Sequence, residues 1–160
     1  MTFKVRLLLG AAAPLVFALP AAAQVSITTA TTTPVQTATA NSGAPSDVTV
    51  TSTGSVALTS AAAGTSAVTV NSNNSLTNAG TISTANSDNT NGVRITAGTA
   101  NYTSTGSISL LEDYLQKDDD SDGDLDGVLA QGTGRIGLLV DPAGSLTGVV
   151  RRAAGMERGS

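Results

Sequence analysis

The 160-residue sequence contains no cysteine, no histidine and no tryptophan. Without cysteine the chain can form no disulfide and offers no thiolate as nucleophile or metal ligand. Without histidine it lacks the side chain that most often serves as a general base or a metal ligand. Nucleophilic catalysis through a histidine base is therefore excluded, and the sequence predicts a protein that is not an enzyme.

Aromatic and charged residues are also scarce, at 2% and 12% of the chain. Both phenylalanines lie within the first 20 positions, so the only rings beyond them are Tyr102 and Tyr114. Any core must be built from Val, Ile, Leu and Ala, which favours thin, layered packing. The formal net charge is −4, and no basic patch is present, so we expect no nucleic-acid partner.

Residues 1–23 have the pattern of a secretory signal peptide. Lys4 and Arg6 form a positive start, Leu7 to Leu19 is an apolar stretch, and Ala21-Ala-Ala23 is an Ala-x-Ala cleavage site. The alternative, a membrane anchor, needs about 20 apolar residues. We therefore expect processing by the export machinery and a mature start at Gln24.

A short phrase recurs with a fixed period. Gly54, Gly80 and Gly106 are 26 residues apart, and each stands in a Thr-x-x-Gly-x-(Val/Ile) sequence. A period in this range is typical of a repeat protein in which one structural unit is stacked. A β-sandwich would show turn signals every 8–12 residues but no such identity period.

Alternating triplets predict the strands of this unit. They are Val48-Thr-Val50, Val68-Thr-Val70 and Val93-Arg-Ile95, and each places two aliphatic side chains on one face. Leu76, Ile82, Ile108 and Leu110 extend the inward set, and Asn-rich stretches at 71–74 and 86–92 predict turns. We predict an all-β fold, a short right-handed parallel β-helix of about four irregular rungs over residues 47–150.

The segments on either side are weakly patterned. Residues 24–46 are rich in Thr, Ser and Ala, and are interpreted as a flexible linker or as a cap in which Val25-Ser-Ile27 covers the open end of the stack. Residues 151–160 are interpreted as a disordered tail, with a truncated or frame-shifted gene product as the alternative.

An acidic insert at residues 117–127 carries the chief candidate site. Asp118, Asp120, Asp122, Gly123 and Asp126 match the spacing of an EF-hand-type calcium loop, in which Asp124 would offer its backbone carbonyl. Position twelve is Leu129, where a bidentate glutamate is expected. Calcium binding at Asp118, Asp120, Asp122, Asp124 and Asp126 and a merely solvated acidic loop remain two open interpretations.

The leader, the Val-Thr-Val strands and the block from Leu111-Glu-Asp-Tyr114 through Asp122-Gly-Asp-Leu-Asp126 to Ala130-Gln-Gly-Thr133 together resemble the N-terminal part of alphaproteobacterial autotransporter passengers. This resemblance implies a right-handed β-helix followed by an outer-membrane β-barrel translocator. The chain shows no run of amphipathic barrel strands. We therefore expect a passenger segment without its barrel, which reaches the periplasm as it stands, and the cell surface if joined to a translocator encoded downstream.

Three functions follow as expectations. The first is an exported structural or adhesin-like passenger fragment, with a cell-surface glycan as its candidate partner. The second is a small secreted calcium-binding module that interacts with carbohydrate. The third is a fragment of a β-helical polysaccharide-degrading enzyme, for which a carboxylate pair such as Asp113 with Asp141 would have to meet across rungs. The spacing of these two residues gives that pair no support.

Overall fold

The computed structural model describes residues 24–111, 118, 120–124 and 134–146. These residues form an all-β parallel solenoid of about three turns, and they contain no helix. The predicted parallel β-helix is therefore confirmed. The predicted signal peptide at 1–23 and the predicted tail at 151–160 lie outside the described residues.

Three parallel sheets form the three faces of the solenoid. The chain contributes one strand to each face in turn, and one such passage around the three faces is called a circuit. The first face consists of β1 (Gln24–Ile27), β4 (Asp47–Val50), β7 (Leu76–Asn78) and β11 (Tyr102–Ser104). The second consists of β2 (Ala30–Thr31), β5 (Ser55–Thr59), β8 (Thr81–Ala85) and β12 (Ser107–Leu111). The third consists of β3 (Val35–Gln36), β6 (Ser66–Val70), β9 (Asn91–Ile95) and β13 (Ile136–Val140). A further pair, β10 (Gly98–Ala100) with β14 (Gly144–Leu146), follows the third face.

Every named strand pair is parallel, so equivalent residues of successive circuits stack in files. On the first face one inward file runs Val25, Val48, Leu76 and Tyr102. On the second face a file runs Val56, Ile82 and Ile108, and on the third a file runs Val35, Val68, Val93 and Leu138. Successive members lie about 4.8 Å apart, the spacing of hydrogen-bonded strands.

The core is the narrow space between the three faces. β-branched and aliphatic residues at alternate strand positions point inward, as the period of two predicts. The buried apolar set is Val48, Val50, Val56, Leu58, Ala67, Val68, Val70, Leu76, Ile82, Val93, Ile95 and Tyr102. Of the predicted inward residues, Leu76 and Ile82 are fully buried, while Ile108 and Leu110 in the last circuit are half-buried.

The three predicted triplets do not occupy equivalent positions. Val48-Thr-Val50 lies in β4 on the first face, whereas the triplets at Val68 and Val93 stack on each other on the third face. The gap of 20 residues between the first two triplets is therefore the passage from one face to another. It does not reflect an irregular turn of the solenoid.

Residues 24–36 supply the first strand of each face, since β1, β2 and β3 pair with β4, β5 and β6. Residues 37–46 then form a short turn structure closed by the Asn41–Ala44 bridge. The predicted turn at 86–92 is shorter than expected, because Asn91 and Gly92 already belong to β9. Asn86 and Asn89 adopt the left-handed conformation that asparagine tolerates.

The recurring glycines mark a corner where consecutive circuits approach too closely for any side chain. A methyl group on Gly54 would collide with the carbonyl oxygen of Ile27. One on Gly80 would collide with the carbonyl oxygens of Gly54 and Thr51, and one on Gly106 with that of Gly80. The requirement is one of space, since none of these three glycines has a positive φ.

We predict that Gly80→Ala destabilises the solenoid by about 2–3 kcal/mol, because the added methyl forces two circuits apart. Gly137→Ala is the matched control, since a methyl there meets only Ile108 Cγ2 at 3.8 Å. The control should leave the free energy of unfolding unchanged or raise it slightly. Urea denaturation followed by circular dichroism compares the two, and equal stabilities would contradict the close-approach explanation.

Tyr102 is the largest fully buried side chain. Its hydroxyl has no hydrogen-bond partner of good geometry among the described residues. Burial raises the pKa of Tyr102, and the neighbouring Ser104 and Asn78 offset part of that rise. At alkaline pH the unfolded chain therefore loses the phenolic proton first, while the folded chain still holds it.

Tyr102→Phe should therefore have two effects. At neutral pH it should preserve or raise the free energy of unfolding, since an unsatisfied buried polar group costs about 1–3 kcal/mol. Above pH ~10, where tyrosine ordinarily ionises, the parent should lose stability faster than the variant. Urea titrations at a series of pH values test both effects, and a clear loss of stability in Tyr102→Phe at neutral pH would show that the hydroxyl is satisfied.

Candidate functional site

The acidic segment belongs to an insert at one corner of the solenoid. In the second and third circuits the chain passes from the second face to the third between Thr59 and Ser66 and between Ala85 and Asn91. In the last circuit the same passage runs from Leu111 to Ile136. The strands on either side of the insert, β12 and β13, keep their register with β8 and β9. The insert thus lengthens a corner without interrupting the stack.

Three carboxylates of this insert converge. Asp118, Asp120 and Asp122 are exposed, and each offers an oxygen atom that lies within 4.8 Å of the other two. We call these three residues the acidic cluster. They are the first three alternate positions of the predicted calcium loop, so the structure brings these predicted ligands together. Asp126 and Leu129 lie outside the described residues.

The backbone of this loop folds back around Asp118. The carboxylate of Asp118 accepts hydrogen bonds from the backbone N–H of Asp122 at 3.2 Å and of Gly123 at 3.0 Å. The carboxylate of Asp122 accepts one from Asp124 N–H at 2.9 Å. Gly123, with φ of 95°, and Ser121, with φ of 65°, are left-handed and make the tight turn. The turn keeps the carboxylates on alternate residues close together.

Oxygen ligands in this arrangement suit a hard divalent cation. Calcium takes six to eight oxygen atoms, and alternate carboxylates followed by a backbone carbonyl are the usual way a loop supplies them. Three like charges this close repel each other, and a cation between them would remove that repulsion. The calcium site stays a prediction, and the described residues supply three of its side-chain ligands.

Arg135 connects the two ends of the insert to the preceding circuit. Its guanidinium donates to the carbonyl of Ser87 at 2.9 Å and to that of Leu111 at 3.0 Å, and it pairs with the carboxylate of Asp88 at 3.3 Å. Leu111 is the last residue of β12, and Arg135 directly precedes β13. One side chain therefore ties the two ends of the insert to the corner of the preceding circuit. The planar guanidinium presents several donors in a fixed fork, which suits three acceptors in different directions.

The carboxylate pair considered for glycoside cleavage stays untested, because only Asp141 belongs to the described residues. Asp113 lies outside the described residues. Asp141 is engaged by Arg94, whose Nη2 lies 2.9 Å from one carboxylate oxygen and whose Nε donates to both oxygens. Arg94 and Arg135 were missed by sequence reasoning. For Arg94 the sequence did offer a signal, because the triplet Val93-Arg-Ile95 has arginine at the position where Val68-Thr-Val70 has Thr69. These two residues are neighbours in an outward file of the third face that is otherwise uncharged.

Small side chains, mostly Ser and Thr, form most of the outer surface of the first two faces, and the exposed Leu111 at the end of β12 is the exception. Ser26, Thr49, Thr77 and Thr103 form one outward file, and Ser55, Thr81 and Ser107 form another. The hydroxyl of Ser107 lies 3.3 Å from that of Thr81, so hydroxyls also pair along the stack. Asp47 is the one charged residue in the described strands of these faces, and it accepts hydrogen bonds from Asn74 and Ser75.

Comparison of the chain with protein-family models, with curated proteins and with solved structures gives no match. No helix in the described part of the chain is long and apolar enough to cross a membrane.

We predict that calcium binds the acidic cluster and that Asp120→Ala and Asp122→Ala each remove most of the heat of binding in titration calorimetry. Asp124→Ala is the control. It removes the same charge, but Asp124 is expected to contribute its backbone carbonyl, so binding should persist with only a modest loss of affinity. Absence of heat from the parent chain, or equal losses in all three variants, would contradict a defined calcium loop.

Proposed function

We propose that the chain is an exported, non-catalytic structural segment of the adhesin-like passenger type. The observation that carries the proposal is the parallel solenoid with two outer faces that are nearly free of charge. Stacked circuits present long, flat surfaces, which suit a spacer or an extended contact surface better than a pocket for a small substrate.

The outward residues also support this interpretation. Files of Ser and Thr hydroxyls offer many weak donors and acceptors at the strand spacing, so a polar polymer such as a surface glycan could lie along them. No long basic or aromatic side chain stands in the described strands of the first two faces, apart from the inward Tyr102. The chemistry favours shallow, extended contact over tight capture of a single group.

A second candidate function is a calcium-dependent carbohydrate-binding module. The acidic cluster is the observation that favours it, because three converging, exposed carboxylates lie in the insert that joins the second face to the third. A bound cation would neutralise the cluster and offer an exposed coordination position to a hydroxyl of the carbohydrate. This candidate requires calcium, whereas the structural segment does not.

Export is tested by expressing the chain from Met1 in a bacterial host. Mass spectrometry then gives the mass of the intact protein recovered from the periplasm. We expect a protein that begins at Gln24. The variant Ala23→Tyr is the control, since a large residue at the cleavage site should leave the leader attached. Recovery of the unprocessed parent from the cytoplasm would contradict the proposal.

Contact with glycans is tested separately, by binding of the mature chain to a glycan array with calcium and with a chelator. An adhesin-like segment should bind in both conditions, and a calcium-dependent module only in the first. A pure spacer should bind in neither. Sustained hydrolysis of any arrayed polysaccharide would contradict a non-catalytic role.

A further inference from the structure

The solenoid ends at its N-terminal side in three strands that have a partner on one edge only. Among the described residues, β1, β2 and β3 pair with β4, β5 and β6 and with nothing else. Thr51 N–H donates to the carbonyl of Ile27, so the Ile27 carbonyl faces β4. Because backbone groups alternate along a strand, the N–H and C=O of Ser26 face the open edge. An open edge of this kind is a template for another strand.

The end of the core is also incompletely covered. Ile27, Val35 and Ala40 are only partly buried where they pack on the core. The residues that pair with Ile27 and Val35 in the next circuit, Val50 and Val68, are fully buried. They line a concave end of about 350 Å³ together with Val25. A repeat stack normally needs a polar cap at such an end, because the last circuit exposes one side of the core.

The charges of the molecule lie elsewhere. Residues 24–46 contain no charged side chain, and the first one after them is Asp47. The formal net charge of the full sequence is −4, and without Lys4 and Arg6 of the leader it is −6. The acidic cluster belongs to the insert between β12 and β13 in the last circuit. Edge strands are usually protected from self-association by charged residues or by proline. β1 has neither.

We propose that two mature chains join through these N-terminal ends. A two-fold axis across the first face pairs β1 with β1 of the second copy in antiparallel orientation, and brings β2 of each copy against β3 of the other. The contact is isologous and closes with two copies. The mature Gln24 carries an α-ammonium group at one end of β1, and the antiparallel orientation places the two groups at opposite ends of the β1 pair, away from each other. A head-to-tail contact would instead leave a free N-terminal end on every assembly and would not close with two copies.

This proposal rests on the export proposal in one respect, since the free edge of β1 is the mature start. The contact covers only the cross-section of a thin solenoid, which is small compared with the interfaces of stable dimers. Association should therefore be reversible and should increase with protein concentration.

Sedimentation velocity on the chain that begins at Gln24, over a wide range of concentrations, measures the association. The parent should shift from monomer to dimer, with no larger species. Ser26→Lys places a charge on the edge strand opposite the same charge of the second copy, and should raise the dissociation constant by about tenfold or more. Thr103→Lys is the matched control, because Thr103 is exposed in the same outward file at the other end of the stack. It should dimerise as the parent does.

Ser26→Pro is a second test, because it removes the free N–H while leaving the hydrogen bonds of β1 to β4 intact. It should also be monomeric, and circular dichroism should show the parent's strand content in every variant. A monomeric parent at all concentrations, or equal dimerisation of S26K and T103K, would overturn the proposal. If export fails but the chain from Gln24 dimerises as described, the export proposal alone is lost.

Discussion

The structure depends on the requirement that each circuit lie directly on the one before it, at the spacing of hydrogen-bonded parallel strands. At the corner of Gly54, Gly80 and Gly106 this leaves no room for a Cβ atom, since each would overlap a carbonyl oxygen of the preceding circuit. The 26-residue glycine period therefore follows from the close approach of successive circuits. Each circuit needs a glycine at this corner because the backbone passes close to the preceding circuit each time.

The same stacking explains how polar residues are tolerated inside so thin a core. Asn78 is fully buried, and its side-chain amide donates to Ser104 and to the carbonyl of Ser107 in the next circuit. Asn91 donates to Ser66 in the preceding circuit. Buried polar groups cost free energy unless they are paired, and in a stack the partner is supplied by the equivalent position one circuit away. These bonds run along the axis and tie circuits together.

The fold was predictable from the sequence because its signals are local and repeated. The Thr-x-x-Gly phrase predicts the stack, and the aliphatic alternation predicts which residues are inward. The assignment of strands to faces was not predictable in the same way, since Val48-Thr-Val50 and Val68-Thr-Val70 look alike but lie on different faces. The two triplets are alike because every face buries aliphatic side chains at alternate positions, so the pattern does not distinguish one face from another. The convergence of the acidic cluster followed from its spacing, whereas the contacts of Arg135 join residues 24 to 48 positions apart and leave no local pattern.

Residues that repeat from circuit to circuit serve mainly to pack the solenoid. Distinctive functional groups are therefore expected where the repeat is interrupted. In the described strands the inward positions pack in the core, and the outward files of the first two faces consist mainly of Ser and Thr, with Leu111 as the large exposed exception. The breaks are the insert that Arg135 fastens between β12 and β13, and the open edge at β1. The insert concentrates negative charge and the edge has none, so the two can act on different kinds of partner without competing. For this reason a cation and a second copy of the chain are physically separate hypotheses, and a substitution at one end should leave the other unaffected.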